Sequence, residues 1–353
     1  MAEYWRLLDT GLRPAAQNIA LDRALLEARQ AEEIPSTLRF LRFAPCALIG
    51  SRQSPEQELD LDYCRASRIA VQRRITSGAA AYCDEGQLGW GLYLSLREAG
   101  TSDVRAILRR AGHAAAAGVS ALGVEARVRA GGDIEVDGRR IAWAAAAVHG
   151  HALLVQGVLL LEGDPGRILT ALRLSAAGLS EPVLAAARER LASLAGLLGG
   201  RPDAAAVKRL LAEAFESGFD VELREGDLGL TEHVRYRQAL ASIDTPDWVN
   251  LVSRPASEMR IAEAGGRLRA AVVFETPTRI IRQLWFAGDL PGFSPRLLAE
   301  LEDALRDTPL EQLDARMHRF FHGRSPEACA VAPAELASLV RRAASQPLLT
   351  RSA

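Results

Sequence analysis

Lysine is almost missing from this chain: Lys208 stands alone among 43 basic residues, and the rest are arginine. An arginine where lysine would be expected therefore carries less meaning here than in an ordinary composition. Cysteine is scarce as well. Cys46, Cys64, Cys83 and Cys329 show no paired spacing, so neither a zinc knuckle nor a disulfide framework is indicated, and a reducing, cytoplasmic setting is expected. An excess of one charge is also lacking. With 43 basic and 44 acidic residues the net charge is -1, which supplies no field to draw nucleic acid or an anionic membrane, and neither is expected as a partner. No apolar run is long enough to cross a bilayer; the stretch from Ala152 to Leu161 reads as a buried strand. The first thirty residues do not form a basic segment followed by an apolar one, so no secretory leader is expected. His318 and His322 have i,i+4 spacing, but no glutamate follows the first, so the zinc-protease pattern fails. No metal site is expected there or at His149 and His151.

What is present is ordinary for a globular protein: 353 residues, 48% hydrophobic and 25% charged, enough for two domains. Pro14 opens an amphipathic helix carrying Ile19, Leu25 and Leu26. Short strands follow at 38–43 and 47–49, split by Pro45. Leu88, Trp90, Leu92, Leu94 and Leu96 alternate, which predicts a strand with one buried face. Val104, Ile107, Leu108, Ala111, Ala115 and Val119 keep helical spacing, with Arg105, Arg109 and Arg110 on the solvated side. Asp137-Gly138 between strand-like segments predicts a two-residue hairpin, and alternation on the returning strand turns one of Arg139 and Arg140 inward. Residues 167–219 read as mostly helical, broken at Gly199-Gly200-Arg201-Pro202. The texture changes near Thr245-Pro246-Asp247-Trp248. Beyond it come a hairpin from 268–274 and 279–286 and helices opening at Ser294-Pro295 and at Thr308-Pro309-Leu310-Glu311, the latter a capping box. Two domains are expected, 1–240 and 245–345.

The most informative segment is Arg73-Arg74-Ile75-Thr76-Ser77-Gly78-Ala79-Ala80-Ala81-Tyr82-Cys83-Asp84-Glu85-Gly86. A strand-like run feeds two arginines and then small residues. Small side chains let a ligand approach the backbone, and arginines offer forked donors to phosphate or carboxylate.

The segment resembles, without a gap, the arginine-pair and glycine-rich loop of the lipoate-protein ligase A family. Further segments match in order. Trp5 to Gly11 with Asn18, Ala20 and Asp22 is similar to its first strand and helix. Gly50-Ser51-Arg52-Gln53 is similar to its segment beside the acyl pocket, and Asp133 to Ile141 to the hairpin that carries its catalytic lysine. The resemblance implies an α+β fold: a mixed-sheet biotin/lipoate-ligase-like, class II synthetase-like catalytic domain followed by a small α+β accessory domain. It implies a reaction in which lipoate attacks ATP to give lipoyl-adenylate and pyrophosphate, after which a lipoyl-domain lysine takes the acyl group. By the same resemblance Arg140 takes the catalytic lysine's place. Gln53, Arg73, Arg74, Thr76, Ser77, Gly78, Ala79, Ala80, Asp84, Gln87, Asp133 and Gly157 are its substrate or adenylate contacts. ATP with Mg2+, lipoate or octanoate, and lipoyl-domain proteins such as the acyltransferase subunits of 2-oxoacid dehydrogenases or the glycine-cleavage H protein are the implied ligands and partners, with a monomer expected.

Departures cluster on the pocket. The glycine triplet reads Ser77-Gly78-Ala79, the family histidine is Cys83, the lysine is Arg140, a His-Gly pair is Gln156-Gly157, and Trp143 stands where the family has glycine. Cys83 reads as a buried small hydrophobe rather than a nucleophile. Two further readings stay open: an acyltransferase moving octanoyl or lipoyl groups between carriers without ATP, and a non-catalytic relative that binds lipoyl domains or an acyl ligand.

Overall fold

A computed structural model describes residues 3–51, 53–76, 79–99, 101, 103–129, 132–172, 185, 188–251, 258–264, 268–275, 278–288, 295–322 and 332–346. The chain divides into two compact units. The first comprises Met1–Pro55, Leu61–Asp164 and Ala192–Val252; the second comprises Glu56–Asp60, Pro165–Leu191 and Ser253–Ala353.

The first unit opens with β1 (Glu3–Arg13), α1 (Ala15–Gln30), β2 (Thr37–Phe43), β3 (Cys46–Ile49), β4 (Ala70–Arg73), β5 (Ala81–Cys83) and β6 (Gln87–Ser95). It continues with α2 (Val104–Ser120), β7 (Ala126–Val128), β8 (Ile134–Val136), β9 (Arg139–His149) and β10 (Ala152–Leu160). It closes with α3 (Ala204–Phe219), β11 (Val221–Glu225) and α4 (Leu230–Ile243). A mixed eight-stranded sheet runs in the order β11-β1-β2-β6-β10-β9-β8-β7, and a small sheet runs β4-β3-β5.

Both faces of the large sheet are covered. Leu88, Trp90, Leu92 and Leu94 of β6 pack with Ile107, Ala111 and Ala115 of α2 and with Leu211 and Phe215 of α3. On the opposite face Tyr93 and Leu154 meet Leu25 and Leu26 of α1. The expectation of one buried face on β6 is thus corrected: every residue from Gln87 to Ser95 is buried, because α1 covers the side that alternation assigned to solvent. Beneath α1 lies a buried polar network. Arg39 donates to Asp22 Oδ1 at 2.6 Å, Asn18 Oδ1 at 2.6 Å and Thr10 Oγ1 at 2.9 Å, and Tyr93 donates to Asp22 Oδ1 at 2.6 Å. Burial pushes the Asp22 carboxyl up, against the Arg39 charge and the Tyr93 hydrogen bond. A buried ion pair is tolerated only when its remaining polar atoms are met, as they are here by four elements.

Asp137 and Gly138 have φ of 52° and 75°, the left-handed pair that a tight hairpin between β8 and β9 requires. Strict alternation does not survive the hairpin. The register shifts between Ile134 and Glu135, and Arg139 and Arg140 are both half-buried instead of one turning inward. Gly157 of β10 has a packing reason. A Cβ there would run into the Trp90 indole well inside contact distance.

The second unit holds an antiparallel sheet of β12 (Glu258–Ala264), β13 (Leu268–Glu275), β14 (Ile280–Gly288) and β15 (Thr308–Pro309). Helices α5 (Pro295–Leu305), α6 (Leu313–Phe321) and α7 (Pro333–Ser345) accompany it. Val272, Phe274, Phe286, Leu301, Leu305, Met317, Leu336 and Val340 form its core. The expected hairpin is β13–β14; Thr276-Pro277 between them, Cys329 and the helix-opening Ser294 lie outside the described residues. The capping box at Thr308 does not form. Thr308 and Pro309 pair with Ile281 and Ile280 as a strand, the Thr308 hydroxyl donates to Arg306 O at 3.4 Å, and the helix begins at Leu313 after a short 3-10 turn. Sheet pairing outcompetes a local cap because it satisfies more backbone groups at once.

Glu302 is buried in this unit, with Arg190 Nη1 2.5 Å from both carboxylate oxygens and Phe286 N 2.7 Å from Oε1. Burial pushes its carboxyl from 4.5 up to about 7, outweighing the Arg190 charge and the hydrogen bonds. Because the folded value is the higher one, folding takes up a proton between the two values. The carboxyl's contribution is therefore fully present below about 4.5 and lost as pH rises through about 7. Thermal unfolding followed across that window should show a declining stability component that vanishes in Glu302→Gln. Identical pH slopes in the two proteins would contradict the assignment.

Candidate functional site

The small sheet positions the arginine segment. Parallel strands β3 and β4 end side by side, Ile49 against Arg73, so the loops that follow leave from one edge. Arg73 is 0% exposed. Its Nη1 donates to the carbonyls of Gly50, Ser51 and Gln53 at 3.0, 3.1 and 2.6 Å. Its Nε reaches Trp248 O at 3.1 Å and its Nη2 reaches Val249 O at 2.7 Å. The Trp248 indole N–H donates back to Arg73 O at 2.9 Å. One guanidinium thus fastens the loop after β3 to the turn Pro246–Val249, which Thr245 caps through Trp248 N at 3.2 Å.

Arg74 is 1% exposed and holds the second loop. Its Nη2 donates to Ala79 O at 2.6 Å, its backbone N to Ile49 O at 3.0 Å, and its guanidinium lies 5.0 Å from the Trp143 ring centroid. Ser51 N donates to Thr76 O at 3.0 Å, joining the two loops, and the Gln53 side-chain oxygen accepts from Gly50 N at 2.8 Å. Gln53, Arg73, Arg74, Thr76 and Ala79 are therefore gathered into one knot, with Ala80 half-buried beside it. Ser77 and Gly78 lie outside the described residues.

Other expected site residues have local duties. Asp84 Oδ1 accepts from Gly86 N at 2.9 Å and closes the turn into β6, where Gln87 is buried as the first strand residue. Gly157 belongs to the Trp90 packing described above. Asp133 pairs with Arg140 at 3.3 Å, and the Arg140 side chain is 36% exposed. Arg140 precedes Trp143 by three residues on β9, about 10 Å along the strand. There it stands in an ion pair of its own.

Thr76 Oγ1 and Gln156 Oε1 are among the buried side-chain atoms with no hydrogen-bond partner among the described residues. Gln156, 6% exposed, shares a face of β10 with Val158, and Val158 pairs across to Trp143. Buried polar atoms are nearly always satisfied, which makes these two oxygens candidates for meeting a ligand. In the sequence Gln156 was noted as a departure at the pocket, though only Gly157 of that pair was expected as a contact. The available signal was one amide inside the apolar run Leu153-Leu154-Val155-Gln156-Gly157-Val158.

Cysteine chemistry is not indicated here. Cys46 and Cys83 are buried and directly opposed in register. Burial, then the neighbouring Cys83 thiol and the acids Asp84 and Glu85, push the Cys46 thiol well up, away from thiolate. Among the described residues no cluster of three histidine, cysteine or acidic side chains could hold a metal, and no helix is long and apolar enough to cross a membrane.

The lipoyl protein ligase A/B catalytic domain profile matches residues 14–216, and the chain belongs to that family. Octanoyltransferase LipM of Moorella thermoacetica is 28% identical over 70% of this chain and 98% of its own length. Octanoyltransferase LipM of Symbiobacterium thermophilum is 32% identical over 62% and 86%. Among solved structures, the bipartite lipoate-protein ligase of Thermoplasma acidophilum, described with its E2 lipoyl domain, superposes with TM-score 0.64. It is 24% identical over 71% of this chain and 98% of that one. A lipoate-protein ligase A bound with ATP gives TM-score 0.60 at 24% identity, over 70% and 98%. At such identities the structures establish the fold: a mixed-sheet α+β, lipoate-ligase-like architecture, as the sequence motifs implied.

The knot has an energetic consequence. Arg73→Ala strips charge-assisted bonds from five carbonyls and should lower the unfolding free energy by about 3 kcal/mol. Arg73→Lys should recover little, because one ammonium cannot span both loops. Arg140→Ala, which removes a half-exposed pair, should change it by less than about 1 kcal/mol. Urea denaturation of the three variants tests this ordering, and an Arg73→Ala protein as stable as wild type would overturn the structural role.

Proposed function

We propose that the protein activates lipoate or a medium-chain acid such as octanoate with ATP and passes the acyl group to a lysine of a lipoyl-domain protein. The observation that carries this reading is the arginine-held loop, which leaves the Thr76 hydroxyl as a buried, unanswered polar atom available to an acyl carbonyl or phosphate. Gln156 supplies a second such atom on the sheet face that carries Trp143. Arg140 offers planar, paired N–H donors to a carboxylate and a phosphate oxygen, with Asp133 orienting it. The carboxylate attacks the α-phosphorus and pyrophosphate leaves; the lysine amine then attacks the acyl carbonyl and AMP leaves. In this scheme Arg73 and Gln53 act on the loops and not on the ligand. Trp143 bounds the acyl path and sets a limit on chain length. Mg2+ would travel with the nucleotide phosphates, a role that needs at most one or two protein carboxylates, and Asp133 is the carboxylate at hand. Residues 1–240 form the catalytic domain in this reading and 245–345 the accessory domain. The partners are the acyltransferase subunits of 2-oxoacid dehydrogenases, the H protein or their equivalents.

A second reading is favoured by the octanoyltransferase name of the relatives: acyl transfer from a carrier without ATP. A thioester route through cysteine finds no support among Cys46, Cys64 and Cys83, all buried. Intact-mass spectrometry of a lipoyl domain separates the two readings. With this protein, octanoate, ATP and Mg2+ the domain should gain one octanoyl group, and Arg140→Ala should slow the gain about a hundredfold. Modification only from an octanoyl carrier protein would establish the second reading, and none from either donor would overturn both.

A further inference from the structure

Strand β6 runs from Gln87 to Ser95, about 27 Å. A cavity of about 300 Å³ lies at its Ser95 end, walled by Trp5 of β1, Leu94 of β6, Ala106 and Ile107 of α2, and Phe219 at the end of α3. Two charged side chains complete it, Glu98 and Arg110.

The walls are aromatic and fixed. The Trp5 and Phe219 rings are 4.9 Å apart, and Phe219 stands at the close crossing of α2 and α3, where a Cβ on Gly218 would come within 2.7 Å of Ala114 Cβ. Arg110 is pinned against this wall. Its Cζ lies 4.6 Å from the Phe219 ring centroid and its Nε donates to Gly218 O at 2.7 Å. Its two terminal amino groups have no partner among the described residues. Glu98 is in the opposite condition: Arg29 donates to one carboxylate oxygen and the Ser36 hydroxyl to the other at 3.2 Å. The α2 N-terminus adds nothing, since Asp103 already accepts from Arg105 N and Ala106 N. The mouth thus combines a neutralised acid with an oriented, uncommitted guanidinium above an apolar, ring-lined floor.

We propose that this cavity is a binding site for a small carboxylic acid with a ring or short apolar tail, its carboxylate on Arg110 and its tail between Trp5, Ile107 and Phe219. The volume sits at the low end of the roughly 300–1,000 Å³ of ligand pockets, which suits one ring or short chain and excludes a nucleotide. A guanidinium already stacked and hydrogen-bonded loses little freedom on meeting a carboxylate.

The test uses 4-phenylbutyrate as probe, titrated into the full chain by calorimetry with Trp5 fluorescence as a second readout. Saturable binding at one site is expected. It should weaken about tenfold or more in Arg110→Gln, disappear in Ala106→Trp, which fills the cavity, and persist in Arg140→Ala. The neutral amide 4-phenylbutyramide should bind at least about tenfold more weakly than the acid. The proposal is overturned by no saturable binding up to the millimolar range, by equal affinity for acid and amide, or by binding unchanged in folded Arg110→Gln and Ala106→Trp proteins. Binding lost in Arg140→Ala alone would place the probe at the arginine knot and would also overturn it.

Discussion

One buried guanidinium organises the candidate site. Arg73 sits where two parallel strands end together and donates to carbonyls on either side, three from the loop after β3 and two from a turn some 175 residues further along the chain. A buried cation is expensive unless its donors are met, and carbonyl dipoles meet them while leaving the charge in place. The positive field is thereby delivered to the loop edge by a side chain that cannot swing away. Arg74 works from the same edge, with its own guanidinium closed over Ala79 O and the Trp143 ring. Such an arrangement is prepared before any ligand arrives.

The rest of the first unit serves that rigidity. The sheet is buried on both faces, by α2 and α3 on one side and α1 on the other. Where apolar packing alone would let α1 slide, the Arg39–Asp22–Asn18–Thr10–Tyr93 network ties it to β1, β2 and β6 with directional bonds. The knot, the network and the core use different physics, and each fixes a different degree of freedom. Of the altered positions, Trp143 packs under Arg74 and against the core, whereas Arg140 stands apart in its pair with Asp133.

Periodicity and turn chemistry carried most of the fold. The β8–β9 hairpin was legible because Asp-Gly admits few other turns, and α2 because its apolar residues keep helical spacing. The collinear motifs located the arginine loop. What could not be read was direction. Nothing local tells Arg73 that its partners are carbonyls of Trp248 and Val249, since that contact depends on how remote segments meet. Gly157, expected as a ligand contact, lies against the Trp90 ring one strand over, a packing that its place in the sequence did not announce. Thr308 carried a cap signature that sheet pairing overrode. Gln156 was named as a pocket departure, but its unpartnered oxygen could be seen only in the structure.

The central claim is that Arg73 shapes the site while Thr76, Gln156 and Arg140 meet the ligand. A crystal structure with a non-hydrolysable octanoyl-sulfamoyl adenosine tests it most directly. The acyl-phosphate mimic should lie against Thr76 and Arg140, with Gln156 engaged on the sheet face and the Arg73 guanidinium still on the carbonyls of Gly50, Gln53, Trp248 and Val249. A guanidinium turned onto the phosphate mimic, with those carbonyl bonds broken, would contradict it.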